Sequence, residues 1–508
     1  MTYAFILIVL YLLLMIGVGW WGLRKTRTLN DFFLGSRAIG PWVSALAYGT
    51  SYFSAVLFIG FAGKLGWGFG LKSLWIAVGN AFVGSLAAWW VLGPRTRAMT
   101  QRLNVMTMPE FFHARYESPR LKILAAMLIF IFLLPYSASV YKGLGHLFEV
   151  QFHIPYEWAI LAMTLVTGIY LILGGYFAIT LTDFIQGIIM LGGAAGMTAV
   201  LLNRAGGLLP ALQTAAANYS RHIPPENQPP TYLLACLVLM TSFGVWGLPQ
   251  MVQKFYSIKD PRQIGRAAVV TTVFALVIGV SAYLTGALSH VFVDRLPEGP
   301  NPFDRLIPDL LYRELPSGLM ALILLLVLSA SMSTLSSLIL VSSSAIAIDL
   351  YKGHVNPAAS NRRSLTLMRF LSGVFVALSF FIAQQENAVI VTLMSLSWGS
   401  VAGAFLAPYL YGLYWRRGTA SAALVCMITG VGLANILFLC WGERLVPVAS
   451  VTAMAVPMLL FPLISVLTRP PSDATLRQAF REDRGVSAGE SPSQTEEAAP
   501  YWETAAAP

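Results

Sequence analysis

Thirteen apolar runs, each about as long as a bilayer is thick, follow one another along this chain. Their coarse limits are 3–22, 41–65, 73–94, 121–148, 155–175, 180–202, 231–256, 266–293, 316–350, 365–385, 388–414, 420–441 and 447–467. A hydrocarbon core of about 30 Å takes roughly 20 residues of helix to cross. Lipid offers no partner for backbone N–H and C=O groups, so runs of this length are expected as helices that satisfy their own backbone. Composition agrees with an all-α polytopic membrane protein: 56% of the residues are hydrophobic and only 11% are charged, too few charges to cover a soluble surface at 508 residues. The run 316–350 is long enough to span the membrane and continue beyond it.

The net charge of +10 could suggest a nucleic-acid partner, but its distribution points to topology. With the N-terminus placed outside and the connections numbered alternately, 24 of the 33 Lys and Arg residues fall on the cytoplasmic side, Lys254 among them. That bias is the positive-inside rule. It predicts a multi-pass protein of the plasma (inner) membrane with an external N-terminus and a cytoplasmic C-terminus, embedded in lipid and without a nucleic-acid partner. The three cysteines, Cys236, Cys426 and Cys440, lie in apolar runs and make neither a disulfide framework nor a zinc spacing. The six histidines show no HExxH-type pattern, so no catalytic metal centre is indicated and the chain does not read as an enzyme. The first run lacks a basic n-region and reads as a retained helix. After Arg469-Pro470-Pro471 the composition turns to Ser, Glu, Ala and Pro, the signature of a largely disordered tail with a short helix near 473–482.

Polar irregularity inside a spanning segment marks the working parts, because it is costly unless it lines a cavity. In the second run, Tyr48-Gly49-Thr50-Ser51-Tyr52-Phe53-Ser54 places glycine and hydroxyls at mid-depth. In the seventh, Thr241 to Gln250 holds two glycines, a proline and polar side chains. Both are expected to unwind locally and free backbone groups. They are five spans apart and of opposite orientation, as a pair of interrupted helices in two inverted halves would be. The ninth run carries Ser329-Ala330-Ser331-Met332-Ser333-Thr334-Leu335-Ser336-Ser337. Ala330, Ser333, Thr334 and Ser337 share one helical face. Such a face serves either close helix packing or a cation that uses several oxygens at once. Asp183 lies in another apolar run and needs a partner if ionised. Lys142 is expected near the external end of its helix, free to snorkel.

These segments resemble the sodium/solute symporter family over about residues 1–467. The resemblance is carried by Asp31-Phe32-Phe33-Leu34-Gly35-Ser36-Arg37, Met108-Pro109-Glu110-Phe111-Phe112, Gly174-Gly175, Thr182-Asp183-Phe184-Ile185-Gln186, Met332 to Ser337, Ser344-Ala345-Ile346 and Asp349-Leu350-Tyr351, in that order. It implies a LeuT-like fold of two inverted five-helix repeats with broken helices 2 and 7, and Na⁺-driven alternating access. The expected organisation is a first helix and loop (1–40), repeats at 41–230 and 231–419, peripheral helices at 420–468 and a tail at 469–508, working as a monomer. Carried over residue by residue, the main sodium site would use carbonyls of Thr50, Phe53 and Ala330 with hydroxyls of Ser333 and Thr334. A second sodium site found in some members matches Asp183, Ser333, Thr334, Ser336 and Ser337. Proline carriers have an Asp in the second span where this chain has Tyr52. The solute pocket is expected between the broken helices, lined by Tyr48, Ser54, Phe58, Tyr136, Ser139, Thr241, Val245 and Gln250. Its aromatic character and scarcity of charge suit a small carboxylate-bearing solute, such as proline, a monocarboxylate or pantothenate, better than a sugar or sialic acid.

Overall fold

In a computed structural model of the chain, the described residues are 2–25, 39–173, 176–299, 301–385 and 389–480. The Asp31 to Arg37 and Gly174-Gly175 motifs, and the tail from residue 481 onward, lie outside them. The described residues are helical almost throughout, and the apolar runs of the sequence fall largely on helix among them. In chain order the α-helices are α1 (Thr2–Lys25), α2 (Pro41–Tyr52), α3 (Ala62–Phe69), α4 (Leu74–Gly79), α5 (Ala88–Arg102), α6 (Met108–Tyr116), α7 (Pro119–Phe152), α8 (Tyr156–Leu173), α9 (Tyr176–Arg204) and α10 (Leu208–His222). There follow α11 (Thr231–Gly244), α12 (Pro249–Ser257), α13 (Ile264–Phe292), α14 (Pro302–Glu314), α15 (Ser317–Ser344), α16 (Asn361–Gln384), α17 (Ile390–Tyr414), α18 (Ala420–Trp441), α19 (Val446–Leu467) and α20 (Asp473–Ala479). Among the described residues nine helices are long and apolar enough to cross a membrane, and ten when the bent pair α11–α12 is one span.

Burial sorts these helices into centre and rim. In the span that contains α15, 83% of the most apolar window is buried, against 28% for α18. Leu439 on α18 and Leu467 on α19 are among the most exposed apolar side chains, as expected of residues that face lipid. Close approach of helices in a membrane needs small residues, since no hydrophobic force pulls apolar surfaces together there. Gly66 of α3 meets Gly286 of α13 so closely that a Cβ on Gly66 would stand 2.4 Å from the Gly286 Cα.

Both expected interruptions are present, and each has a local cause. Between α11 and α12 the axis bends by 51°. Pro249 opens α12 and Leu248 ahead of it is extended, with φ −83° and ψ 120°, as a residue before proline tends to be. After α2 the chain leaves helical geometry at Phe53, with φ −110° and ψ 113°. It resumes as a π-helical turn, Val56–Phe61, leading into α3. The Ser54 hydroxyl accepts the Val56 N–H at 3.2 Å and so caps the resumed helix.

The two broken helices lie side by side and run in opposite directions. Next to the first residues of α2 and the end of α12, Ile39 and Ile258 form an isolated backbone bridge. The Lys259 N–H donates to the Ile39 carbonyl at 3.1 Å, and the Ile39 N–H to the Ser257 carbonyl at 3.4 Å. Further along, Tyr48 packs on Phe255 with ring centroids 5.5 Å apart. At the far end the Tyr52 hydroxyl donates to the Thr241 carbonyl at 2.7 Å.

Around the connection between α6 and α7, Thr107 caps α6 by accepting the Glu110 N–H, while the Glu110 carboxylate accepts the Met106 N–H at 2.8 Å. The Lys122 ammonium lies 3.8 Å from Glu110 and 3.7 Å from Asp349. The short α20, expected near 473–482, sits against the end of α6. The Glu117 carboxylate accepts the Ser472 N–H at 3.1 Å and the Thr475 hydroxyl. The Arg115 guanidinium lies 4.8 Å over the Phe480 ring.

Candidate functional site

A helix that stops in mid-membrane leaves carbonyls without the N–H groups that the next turn would have supplied. The partial negative charge of its C-terminal end gathers there. α2 stops this way at Tyr52. The Phe53 N–H covers the Gly49 carbonyl, and the next two carbonyls are covered from α15. The Ser333 hydroxyl lies 3.0 Å from the Thr50 carbonyl and 3.1 Å from the Ala330 carbonyl. The Thr334 hydroxyl lies 3.3 Å from Thr50 O, 3.4 Å from Ser51 O and 3.0 Å from Ala330 O. Thr50, Ala330, Ser333 and Thr334 are fully buried. Four of the five oxygens that the resemblance implied thus converge on one point between α2 and α15. Phe53, the fifth residue, supplies the extended backbone at the edge of the cluster. All the oxygens are neutral, a set suited to a monovalent hard cation rather than a divalent one.

One helical turn further along α15 the chemistry changes. Ser337 shares its hydroxyl with Ser51 of α2 at 3.0 Å. The Lys254 ammonium of α12 donates to Ser337 at 3.2 Å and to the Asp183 carboxylate of α9 at 3.1 Å. The exposures are 1% for the Lys254 side chain and 0% for Asp183. The second Asp183 oxygen has no hydrogen-bond partner among the described residues. Ser336 turns back onto its own helix and donates to the Ser333 carbonyl at 2.9 Å. The sequence reading assigned Lys254 to a cytoplasmic connection; the structure corrects this, because the lysine is buried in the wall between four helices.

The break in α2 opens onto a narrow cavity of ≈ 20 Å³ lined by Tyr52, Phe53, Ser54, Leu57, Phe61, Asn80, Thr241, Tyr283, Met394 and Trp398. Ser54 and Thr241 were expected there. The Tyr136 ring stands edge-on to Trp398 at 5.8 Å, with its hydroxyl near Ser54 and the Trp398 indole. Neither the Tyr136 hydroxyl nor the Trp398 N–H completes a well-formed hydrogen bond among the described residues. Tyr52 stacks on Phe53 at 4.4 Å and on Trp398 at 6.1 Å. It fits only because residue 84 is glycine: a Cβ there would stand 2.2 Å from the Tyr52 hydroxyl.

The other expected lining residues lie around this cavity without bordering it. Tyr48 gives its hydroxyl to the Gly84 carbonyl at 2.8 Å, and Ser139 gives its own to the Tyr136 carbonyl at 2.6 Å. Phe58 and Val245 are buried in their turns. The Gln250 amide is buried on α12 without a hydrogen-bond partner among the described residues. Lys142 is buried and donates to the Gln385 carbonyl at 3.0 Å, so it does not snorkel. Trp398, Asn80 and Tyr283 went unremarked in the sequence because aromatic and amide side chains in apolar runs read as packing residues. The glycine-containing, polar break facing Trp398 was the one available signal.

Two antiparallel broken helices, one of which ends at a cluster of buried neutral oxygens shared with α15 beside a small aromatic cavity, are the architecture of a secondary transporter. The chain belongs to the Sodium:solute symporter family, whose pattern it matches over residues 32–430. It is 28% identical over 475 residues to the osmoregulated proline transporter OpuE of Bacillus subtilis, covering 92% of this chain and 95% of that one. It is 29% identical over 465 residues to sodium/proline symporter 2 of Staphylococcus saprophyticus, covering 89% and 88%. Its fold is that of a Na⁺-coupled sialic acid symporter in an outward-open state, with a TM-score of 0.78 at 18% identity over 92% of this chain and 98% of that one. A nucleobase-cation-symport-1 family transporter in a closed conformation shares the fold with a TM-score of 0.53 at 14% identity, over 88% and 97%.

Proposed function

We propose that this protein imports proline, or a close small amino acid, together with Na⁺ by alternating access. The observation that carries this reading is the convergence of Thr50, Ala330, Ser333 and Thr334 oxygens where α2 stops. Na⁺ there would take the place of the hydroxyl protons that now point into those carbonyls. The ion would bridge α2 to α15 and favour the outward-facing state. Inward opening would separate the two helices and release it. An ion drives such a cycle only through different affinities for the two states, and a site divided between two helices supplies that difference.

Substrate choice is supported by the proline-transporting relatives and by the cavity. It encloses only ≈ 20 Å³ of free space, room for about one water, so even a solute as small as proline enters only as the walls move apart. The Tyr136 hydroxyl and Trp398 N–H are donors suited to a carboxylate, and the Asn80 and Ser54 oxygens are neutral acceptors for an ammonium. Tyr52 supplies no charge, so the solute nitrogen is met by neutral oxygens, and the ring faces of Tyr52 and Trp398 are suited to a compact apolar ring. In the same reading 41–230 and 231–419 are the two repeats, the N-terminus is outside and the C-terminus is cytoplasmic. Uptake of labelled proline into proteoliposomes under an inward Na⁺ gradient, compared with choline, tests the proposal. Equal uptake in the two would refute Na⁺ coupling, and sodium-driven uptake of sialic acid but not proline would refute the substrate.

A further inference from the structure

The group of Asp183, Ser337, Ser51 and Lys254 brings together a buried carboxylate and two hydroxyls, oxygens of the kind a cation site uses, and it also contains a cation. The buried carboxylate of Asp183 supplies the charge, and the hydroxyls of Ser337 and Ser51 supply neutral oxygens. The Lys254 ammonium stands 3.1 Å from the one and 3.2 Å from the nearer of the others. We infer that the Lys254 ammonium is a tethered replacement for a second coupling ion, so that this carrier binds and moves one Na⁺ per solute. The inference rests on the Na⁺-coupled reading above.

Three features carry it. The ammonium satisfies the charge requirement of the site, since Lys254 and Asp183 are both buried and form an ion pair. A Na⁺ added beside it would bring two positive charges within about 4 Å of each other. At an effective dielectric of about 20 that repulsion corresponds to roughly a thousandfold loss of affinity. Finally, the tethered cation makes the same mechanical connection that an ion would. It joins α12, one of the broken helices, to α9 and α15, and through Ser337 to the other broken helix, α2. A mobile ion in this position leaves in every cycle; a lysine cannot, so its connection is broken and remade within the protein.

The test is the coupling ratio, read from the reversal potential of solute flux in proteoliposomes, with the Hill coefficient for Na⁺ alongside. The expected wild-type result is one Na⁺ per solute and a Hill coefficient of about 1. Lys254→Arg keeps the charge and should keep both values. Lys254→Met removes the cation and leaves Asp183, Ser337 and Ser51 open to a second Na⁺, so the ratio should rise to two and the Hill coefficient toward 2. If Lys254→Met does not fold, the double variant Asp183→Asn/Lys254→Met, which buries no charge, should transport at one Na⁺ per solute. A wild-type ratio of two overturns the inference, as does a Lys254→Met carrier still at one, or a double variant at two. Wild-type uptake indifferent to Na⁺ would instead overturn the reading on which the inference rests.

Discussion

Two oxygen-rich regions lie a turn apart on α15, and they are built on different principles. Around Ser333 and Thr334 every oxygen is neutral, and two hydroxyls crowd onto carbonyls that the end of α2 leaves uncovered. Around Ser337 a carboxylate and an ammonium already balance each other. The first region gains most from an added cation, because its dipoles converge with no charge to meet them. The second is electrically complete. What separates them is the neighbouring helix: α2 delivers bare backbone to one, while α9 and α12 deliver a charged pair to the other. In the proposed reading a single serine-rich helix would thus serve a mobile charge and a fixed one.

Substitutions can test how deep that contrast runs. The largest effect is expected at Asp183→Asn with Lys254 left in place, which strands a buried ammonium; breaking such a pair typically costs about 3–5 kcal/mol. A thermal melt of the purified protein should register it, and Lys254→Met in the same chain should restore much of the loss. An unshifted melting temperature would mean that the charged region is wetter and less interdependent than its burial implies. Next comes Tyr52→Phe, which leaves the Thr241 carbonyl uncovered near the neutral region. The expected cost is about 1–3 kcal/mol, seen as a lower melting temperature that added Na⁺ and proline partly reverse. Thr334→Ala removes one neutral ligand, worth about 1 kcal/mol. The Na⁺ concentration for half-maximal uptake should rise by roughly fivefold with little change in melting temperature. If the two regions were alike, Thr334→Ala would cost as much fold stability as Asp183→Asn.

The smallest effect is expected far from both regions, at Glu117. Partial burial works against its ionised form, but hydrogen bonds from Ser472 and Thr475 outweigh this and hold its acidity constant below the ordinary carboxylate value. A depressed value means that the contribution to docking α20 is complete above the ordinary carboxylate range and disappears as pH falls through the lowered one. Proteolysis of the C-terminal segment should therefore quicken only once the pH falls below the ordinary carboxylate range. Glu117→Gln should quicken it already at neutral pH and leave Na⁺ dependence unchanged.

Much of this was legible from residue spacing. The face shared by Ala330, Ser333, Thr334 and Ser337 follows from helical periodicity alone, and the break at Leu248-Pro249 follows from the geometry of proline. The position of Lys254 was not legible. A lysine five residues beyond a proline, close to further basic residues, is what a cytoplasmic connection looks like, and nothing local reveals that α12 continues inward past it. Asp183 predicted a cationic partner without saying that the chain itself would provide one. The cavity was harder still. Tyr48 was expected to line it and instead caps the Gly84 carbonyl, while Trp398 borders it from a helix whose sequence reads as pure core. Which face of an aromatic-rich helix meets a pocket depends on its neighbours, and those are set by three-dimensional packing.

The bridge between Ile39 and Ile258 has a consequence for genetics. Its hydrogen bonds run between main-chain atoms, with Lys259 and Ile39 as donors, so exchanging one side chain for another leaves them in place. An alanine scan of this junction would come back silent even if every transport cycle had to pull it apart. Only a residue without an N–H, or an ester in place of the amide, would make it visible.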